Sequence, residues 1–250
     1  MKTFLRSFYL LAAILTCSAS PQGRITGGDD AVLGQVPYQA SLTIGGSPNC
    51  GAVILSDRYA LTLLSCVCSK GSDKPWPPQL FRVTAGSIDL YTGGVSIVVE
   101  EITINPNYSE LSTGIALLKL TEAFVFSANI QPIPLANDNP IVGEDVEVSG
   151  WGRLTETDEY MQRTLQINAA TIVNSDECSR VIGKSDNQVI CLGHPRKNGI
   201  CSGDYGGPAV YQGELIGIAA YIVGECGSYL PDVYASIPFN YEWITEKISA

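Results

Sequence analysis

"CSGDYGGP", residues 201 to 208, decides how the rest of the chain is read. A cysteine opens it, glycines recur through it, and one acidic residue, Asp204, sits in the middle. Glycines at 203, 206 and 207 admit backbone conformations closed to other residues, so the segment reads as a tight loop of the kind that presents a nucleophile. The place of the nucleophile is held by Tyr205. A phenol ionises with a pKa of about 10, so Tyr205 is a weak nucleophile near neutral pH. The stretch therefore asks whether the chain keeps a chemistry or only its shape.

Outward from this loop, the body reads as many short strands. "YQASLTI" (38–44), "GAVILS" (51–56), "VSIVVEEITI" (95–104), "IALLKL" (115–120) and "LIGIAAYI" (215–222) are rich in β-branched and aliphatic residues. Gly, Pro, Asn and Asp punctuate the gaps between them. No long helical pattern alternates with these strands, so a parallel α/β fold is disfavoured and an all-β barrel or sandwich fits best. Only "FNYEWITEKISA" (239–250) differs. There Phe239, Trp243, Ile244 and Ile248 recur at helical spacing, which predicts a C-terminal α-helix.

The N-terminus carries Lys2 and Arg6, then an apolar run from Phe8 to Thr16 that is too short to span a bilayer. Residues 1–20 read as a secretory signal peptide, and secretion places the chain in an oxidising, extracellular setting. Cys17 leaves with it, so seven of the eight cysteines stay, an odd number that leaves one unpaired. The formal net charge of −10 argues against nucleic acid or an anionic membrane as partner. Asn107-Tyr108-Ser109 is a glycosylation sequon. Trp76 stands among prolines in a loop from Ser69 to Leu80 and is a candidate partner anchor.

"RITGG" (24–28), "NCGAVILSDRYALTLLSCV" (49–67), "GIALLKL" (114–120), "VSGWG" (148–152), "CSGDYGGP" (201–208) and "PDVYASI" (231–237) follow one another in an order and spacing that resemble the trypsin/chymotrypsin-like serine protease family. The resemblance runs from Arg24 to Ala250. It implies two six-stranded antiparallel β-barrels with a cleft between them. It divides the chain into the signal peptide, a pro-segment at 21–24 and a trypsin-like domain at 25–250.

The resemblance breaks where the family's chemistry sits. Such a protease needs a serine nucleophile, a histidine to take its proton and a carboxylate to orient the imidazole. Ser65 stands at the histidine position, Gly114 at the aspartate position and Tyr205 at the serine position. The chain holds a single histidine, His194. The resemblance places its loop behind the substrate pocket, so it reads as a surface-loop residue out of reach of any proton in the cleft. The backbone amides of Gly203 and Tyr205 match the oxyanion hole, and backbone donors survive side-chain replacement.

Other parts of the resemblance are intact. Arg24–Ile25 looks like an activation junction, and in the family the freed amine of Ile25 inserts beside the aspartate that corresponds to Asp204. Gly199, Tyr221, Ile222 and Asp232 correspond to the primary pocket; the branched Ile222 narrows its entrance, and Asp232 stands on its wall. The family's pairing implies the disulfides Cys50–Cys66, Cys178–Cys191 and Cys201–Cys226, with Cys68 unpaired. No metal or cofactor is expected. The expected function is that of a secreted serine protease homologue that acts by binding active serine proteases, their substrates or their inhibitors, with an activating protease cutting after Arg24. The alternative is an endopeptidase with residual activity.

Overall fold

The computed structural model of the protein describes residues 28–110, 112–184 and 186–249. The expected signal peptide, the pro-segment, Arg24 and Ile25 lie outside the described residues.

The chain builds two barrels in succession. A short edge strand β1 (Asp29–Asp30) precedes the first, which comprises β2 (Gln39–Ile44), β3 (Ser47–Ile54), β4 (Tyr59–Leu63), β5 (Phe81–Ala85), β6 (Val95–Ile104) and β7 (Ile115–Leu120). These close in the order β2-β3-β4-β7-β6-β5, with every neighbouring pair antiparallel. The second barrel holds β8 (Asp145–Gly150), β9 (Gln166–Ile172), β10 (Val189–Gly193), β11 (Pro208–Tyr211), β12 (Glu214–Tyr221) and β13 (Asp232–Ser236). The β8–β9 pairing closes this sheet, and β1 adds to the outside of β9. The expected architecture of two six-stranded antiparallel barrels is therefore the observed one.

Composition explains the closure. β6 and β7 carry the β-branched and leucine-rich runs that favour a pleated, half-buried surface. Register shifts at Leu42/Thr43 and Val99/Glu101 let β2 and β6 bend around a closed sheet. Leu42, Leu61, Leu63, Phe81, Val83 and Leu118 are fully buried in the first barrel. Tyr234, Leu192, Ile216 and Ala209 fill the second.

Three α-helices accompany the strands among the described residues. α1 (Leu64–Val67) is a single turn after β4. α2 (Ser175–Ile182) starts at Asn174, whose side chain accepts from the Glu177 N–H, and stops at Gly183 in the left-handed conformation. The predicted C-terminal helix is α3 (Ile237–Ser249). It follows the second barrel and buries Ile237 and Ile244 in a core cluster shared by first-barrel residues and by Val210, Leu215, Ile218 and Ala235 of the second. Asn105 Nδ2 donates to Asn240 Oδ1 at 2.6 Å and ties the helix there. No helix among the described residues is long and apolar enough to cross a membrane.

Candidate functional site

Ser65, Gly114 and Tyr205 come together on the seam between the barrels. The Gly51 N–H of β3 donates to the Tyr205 carbonyl at 2.7 Å, which clamps the 201–208 loop onto the first barrel. That approach is close: a Cβ on Gly51 would stand 2.8 Å from the Gly207 nitrogen. The Tyr205 ring is half-buried and packs against the cores of both barrels. Burial raises its phenol pKa further, and the Asp204, Asp232 and Glu156 charges add to the rise. Tyr205 is thus held in its least nucleophilic form.

Ser65 lies on α1, one residue before the Cys66 that bonds to Cys50. It is exposed and faces an open hollow of about 650 Å³ lined also by Leu64, Lys70, Tyr108 and Glu110. Gly114 is joined to α1 by the Leu64 N–H, which donates to the Gly114 carbonyl at 2.8 Å. The space a side chain at 114 would need is taken. A Cβ there would stand 3.0 Å from Leu64 Cδ1 and 3.3 Å from Tyr108 Cδ1. Aliphatic and aromatic carbon thus fills the place where an orienting carboxylate would reach toward position 65.

The 201–208 loop is built around Asp204, which is 2 % exposed. Its Oδ1 accepts from the Gly152 N–H at 2.6 Å and its Oδ2 from the Cys201 N–H at 2.9 Å. Burial pushes its pKa up to about 7, and these two N–H groups only partly offset that. Gly150 and Gly152 flank the carboxylate so closely that a Cβ on either would collide with it. This explains the two glycines of "VSGWG". Gly203 adopts φ +106°, a conformation L side chains rarely take, and Met161 covers it on one side.

Asp232 is not an open pocket wall. It is 4 % exposed, and its Oδ2 accepts from the Ile200 N–H at 2.7 Å. His194 Nε2 stands 3.2 Å from the same oxygen, an ion-pair contact out of line for a hydrogen bond. This corrects the reading of His194 as a surface-loop residue. Its backbone runs along the surface, but the ring turns inward until the side chain is 1 % exposed, because Asp232 is the charge available to it there. Burial works against charging the imidazole, but the Asp232 carboxylate and the Pro195 carbonyl outweigh it and the pKa rises. Asp232 is itself raised by burial, with His194 pulling back. Gly199 roofs the pair: it has φ +104°, and a Cβ on it would stand 2.5 Å from both Asp232 Oδ2 and His194 Nε2. Tyr221 and Ile222 lie at and just beyond the end of β12, half-buried, with Ile222 packed against the second core.

The sequence of the Trypsin family matches this chain over residues 25–244. The chain belongs to the trypsin family. Among its relatives, a mosquito protein named serine protease SP24D (Anopheles gambiae) is 35 % identical over 221 residues, covering 88 % of this chain and 80 % of the relative. Trypsin beta of Drosophila erecta is 32 % identical, covering 89 % and 87 %. The fold is shared with mouse neuropsin, a brain serine protease, at a TM-score of 0.80 and 29 % identity over 88 % of this chain and 98 % of that one. It is shared too with a human heparin binding protein, at a TM-score of 0.77 and 25 % identity over 89 % and 96 %.

The three disulfides implied by the family resemblance are present: Cys50–Cys66, Cys178–Cys191 and Cys201–Cys226. Two of them brace the seam, one on each side. Cys68 is free and buried, and burial with the nearby Asp73 pushes its thiol up to about 11. A buried thiol that stays protonated is inert, which disfavours it as a tether to a partner chain. Asn107 is exposed, as a glycosylation acceptor requires. Trp76 is 47 % exposed, on a loop folded back by its own N–H to the Val67 carbonyl at 2.9 Å. Sequence reasoning missed the Leu64–Tyr108 filling of the Gly114 corner. The signal available was the bulky Leu63-Leu64 pair in "TLLSC", where the family motif carries two alanines.

Proposed function

We propose that this chain is a secreted trypsin-family protein that binds other proteins and does not cut them. The observation that carries the reading is the state of the single histidine. His194 is the only imidazole the sequence supplies, and it is sealed against Asp232 at 3.2 Å with 1 % of its side chain exposed. A general base must reach the proton it removes. Ser65 brings a hydroxyl without a base, Gly114 brings no carboxylate, and Tyr205 is a phenol whose pKa is raised. The family label does not supply the missing groups; function resides in the site.

Binding is supported by what is retained. The disulfide-braced cleft rim and the exposed Trp76 offer a shaped protein surface. A structural neighbour is named for binding, although its ligand heparin is a polyanion, and a chain of net charge −10 is ill suited to that partner. The partners that fit are active serine proteases, their substrates or their inhibitors. Cleavage after Arg24 would free an Ile25 ammonium, and a desolvated Asp204 is a carboxylate that gains from such a cation.

The test is hydrolysis. The full-length protein and the Arg24-cleaved protein are incubated with a panel of peptide esters beside a heat-killed control. The proposal expects turnover equal to the control in both forms. Turnover above it that disappears in Tyr205→Phe would establish the alternative, an endopeptidase with residual activity.

A further inference from the structure

A second hollow lies apart from the seam and shares no lining residue with the one at Ser65. The chain between β7 and β8 is laid alongside the start of β12. There the Leu215 N–H donates to the Pro134 carbonyl at 2.8 Å, and the Ala136 N–H to the Leu215 carbonyl at 3.0 Å. This strip and the β11–β12 hairpin border a hollow of about 290 Å³. Its base is apolar, with Ala136 and Ile216 buried. Two half-buried aromatic rings line it: Tyr211 at the end of β11, packed on the second core, and Tyr241 on α3.

Five planar polar side chains complete the lining, all on exposed residues: Asn137, Asp138, Asn139, Gln212 and Glu214. Among the described residues only Gln212 of these five makes a side-chain hydrogen bond, its Nε2 donating to the Tyr211 hydroxyl at 2.8 Å. Gln212 and Gly213 form the two-residue hairpin turn, with φ +51° and +83°. Asparagine or glycine takes the first of these positions at least cost. Glutamine there brings a longer carboxamide to the edge of the hollow.

We infer that this hollow is a binding site for an uncharged saccharide. A pyranose ring has faces of C–H groups and a rim of hydroxyls. The faces suit aromatic rings and an apolar base. Each hydroxyl both donates and accepts, and a rim of three carboxamides and two carboxylates supplies both roles. An arginine or lysine side chain would use the acceptors alone and leave three carboxamide NH2 groups unmatched. No lysine or arginine lines the hollow, so a sulfated or uronic saccharide would meet two carboxylates without a counter-charge. Ligand pockets run upward from about 300 Å³, so this one takes one or two sugar rings at a time. The site is independent of the fate of the seam and of cleavage after Arg24.

The full chain is mixed with glucose, galactose, mannose, N-acetylglucosamine or a heparin-derived disaccharide at millimolar concentration. Saturation transfer from protein to ligand protons is then recorded by NMR. The expected result is transfer to at least one of the four neutral sugars, concentrated on the C–H groups of one ring face, and none to the heparin disaccharide. Asp138→Ala, a change on the surface, should weaken the affinity about tenfold by removing a charged acceptor. Tyr211→Ala should abolish the transfer, and Tyr91→Ala, at another exposed ring, should leave it unchanged. No transfer to any neutral sugar overturns the inference, as does transfer that survives both Asp138→Ala and Tyr211→Ala. A response to the heparin disaccharide, or to N-acetylarginine amide in place of the sugars, overturns it too; the latter would assign the hollow to a basic peptide. Retention on an immobilised high-mannose glycoprotein, released by free mannose, would place the sugar on a glycoprotein. Free-sugar binding without retention would place it in solution, and either result upholds the site.

Discussion

The two sides of the barrel seam have been treated differently. On the second-barrel side, the 201–208 loop keeps its whole framework: the Cys201–Cys226 bridge, Gly150 and Gly152 against Asp204, and Gly203 at positive φ. On the first-barrel side, the Ser65–Gly114 corner keeps its backbone link and the neighbouring Cys50–Cys66 bridge, but Leu64 and Tyr108 fill the space between. The difference separates shape from chemistry. The loop's shape is set by backbone amides and a buried carboxylate, none of which depends on residue 205. The chemistry would need side chains contributed from across the seam, and there the packing has closed. On the binding function proposed above, the family fold persists while its site takes another role.

The largest effect should come from Asp204. A raised pKa means that the folded state holds its proton more tightly than the unfolded chain does. The stability linked to this group is therefore full below about pH 4, the ordinary carboxylate value, declines as pH rises to about 7, and is level above. Urea unfolding across that window should show a loss of about 4 kcal/mol at most. Asp204→Asn should flatten the slope, and Arg24 cleavage should flatten it too if the Ile25 ammonium reaches Asp204. A slope unchanged in Asp204→Asn would show that the loop is not organised around this carboxylate.

His194→Ala comes next. It leaves Asp232 buried without its partner and should cost about 3 kcal/mol, read as a lowered unfolding midpoint. A loss within error would restore the surface reading of His194 and with it the availability of a base. Gly114→Ala is smaller, about 1–2 kcal/mol from overpacking against Leu64 and Tyr108. In a Leu64→Ala background that cost should shrink, since the Cβ then has room. Equal costs in both backgrounds would mean the corner is not filled as described. Ser65→Ala should be smallest, within about 0.5 kcal/mol, because the residue is exposed. Tyr205→Ser alone should restore no hydrolysis, since neither base nor orienter accompanies it.

Much of this comparison was legible in the sequence. β6 and β7 fall on the runs 95–104 and 115–120 because uninterrupted β-branched and leucine segments bounded by turn residues leave little choice. The loop at 201–208 announced itself through its glycines. α2 went unread although its signals are local: Asn174 as cap, Asp176 and Glu177 in the first turn, Gly183 at the end. Its body is short and polar, so periodicity gave nothing to find. The inward turn of His194 and the filling of the Gly114 corner were not legible for a different reason. Each depends on residues distant in sequence, Asp232 for the first and Leu64 for the second, and a pattern along the chain does not say which way a ring or a leucine faces.

The central claim, that the retained loop no longer carries a nucleophile, is tested most directly with a fluorophosphonate probe on the Arg24-cleaved protein, with an active trypsin alongside. The account predicts that the trypsin is labelled and this chain is not, at Ser65, Tyr205 or elsewhere in the cleft. A covalent adduct mapped by mass spectrometry to either residue, and abolished by denaturation before labelling, would contradict it.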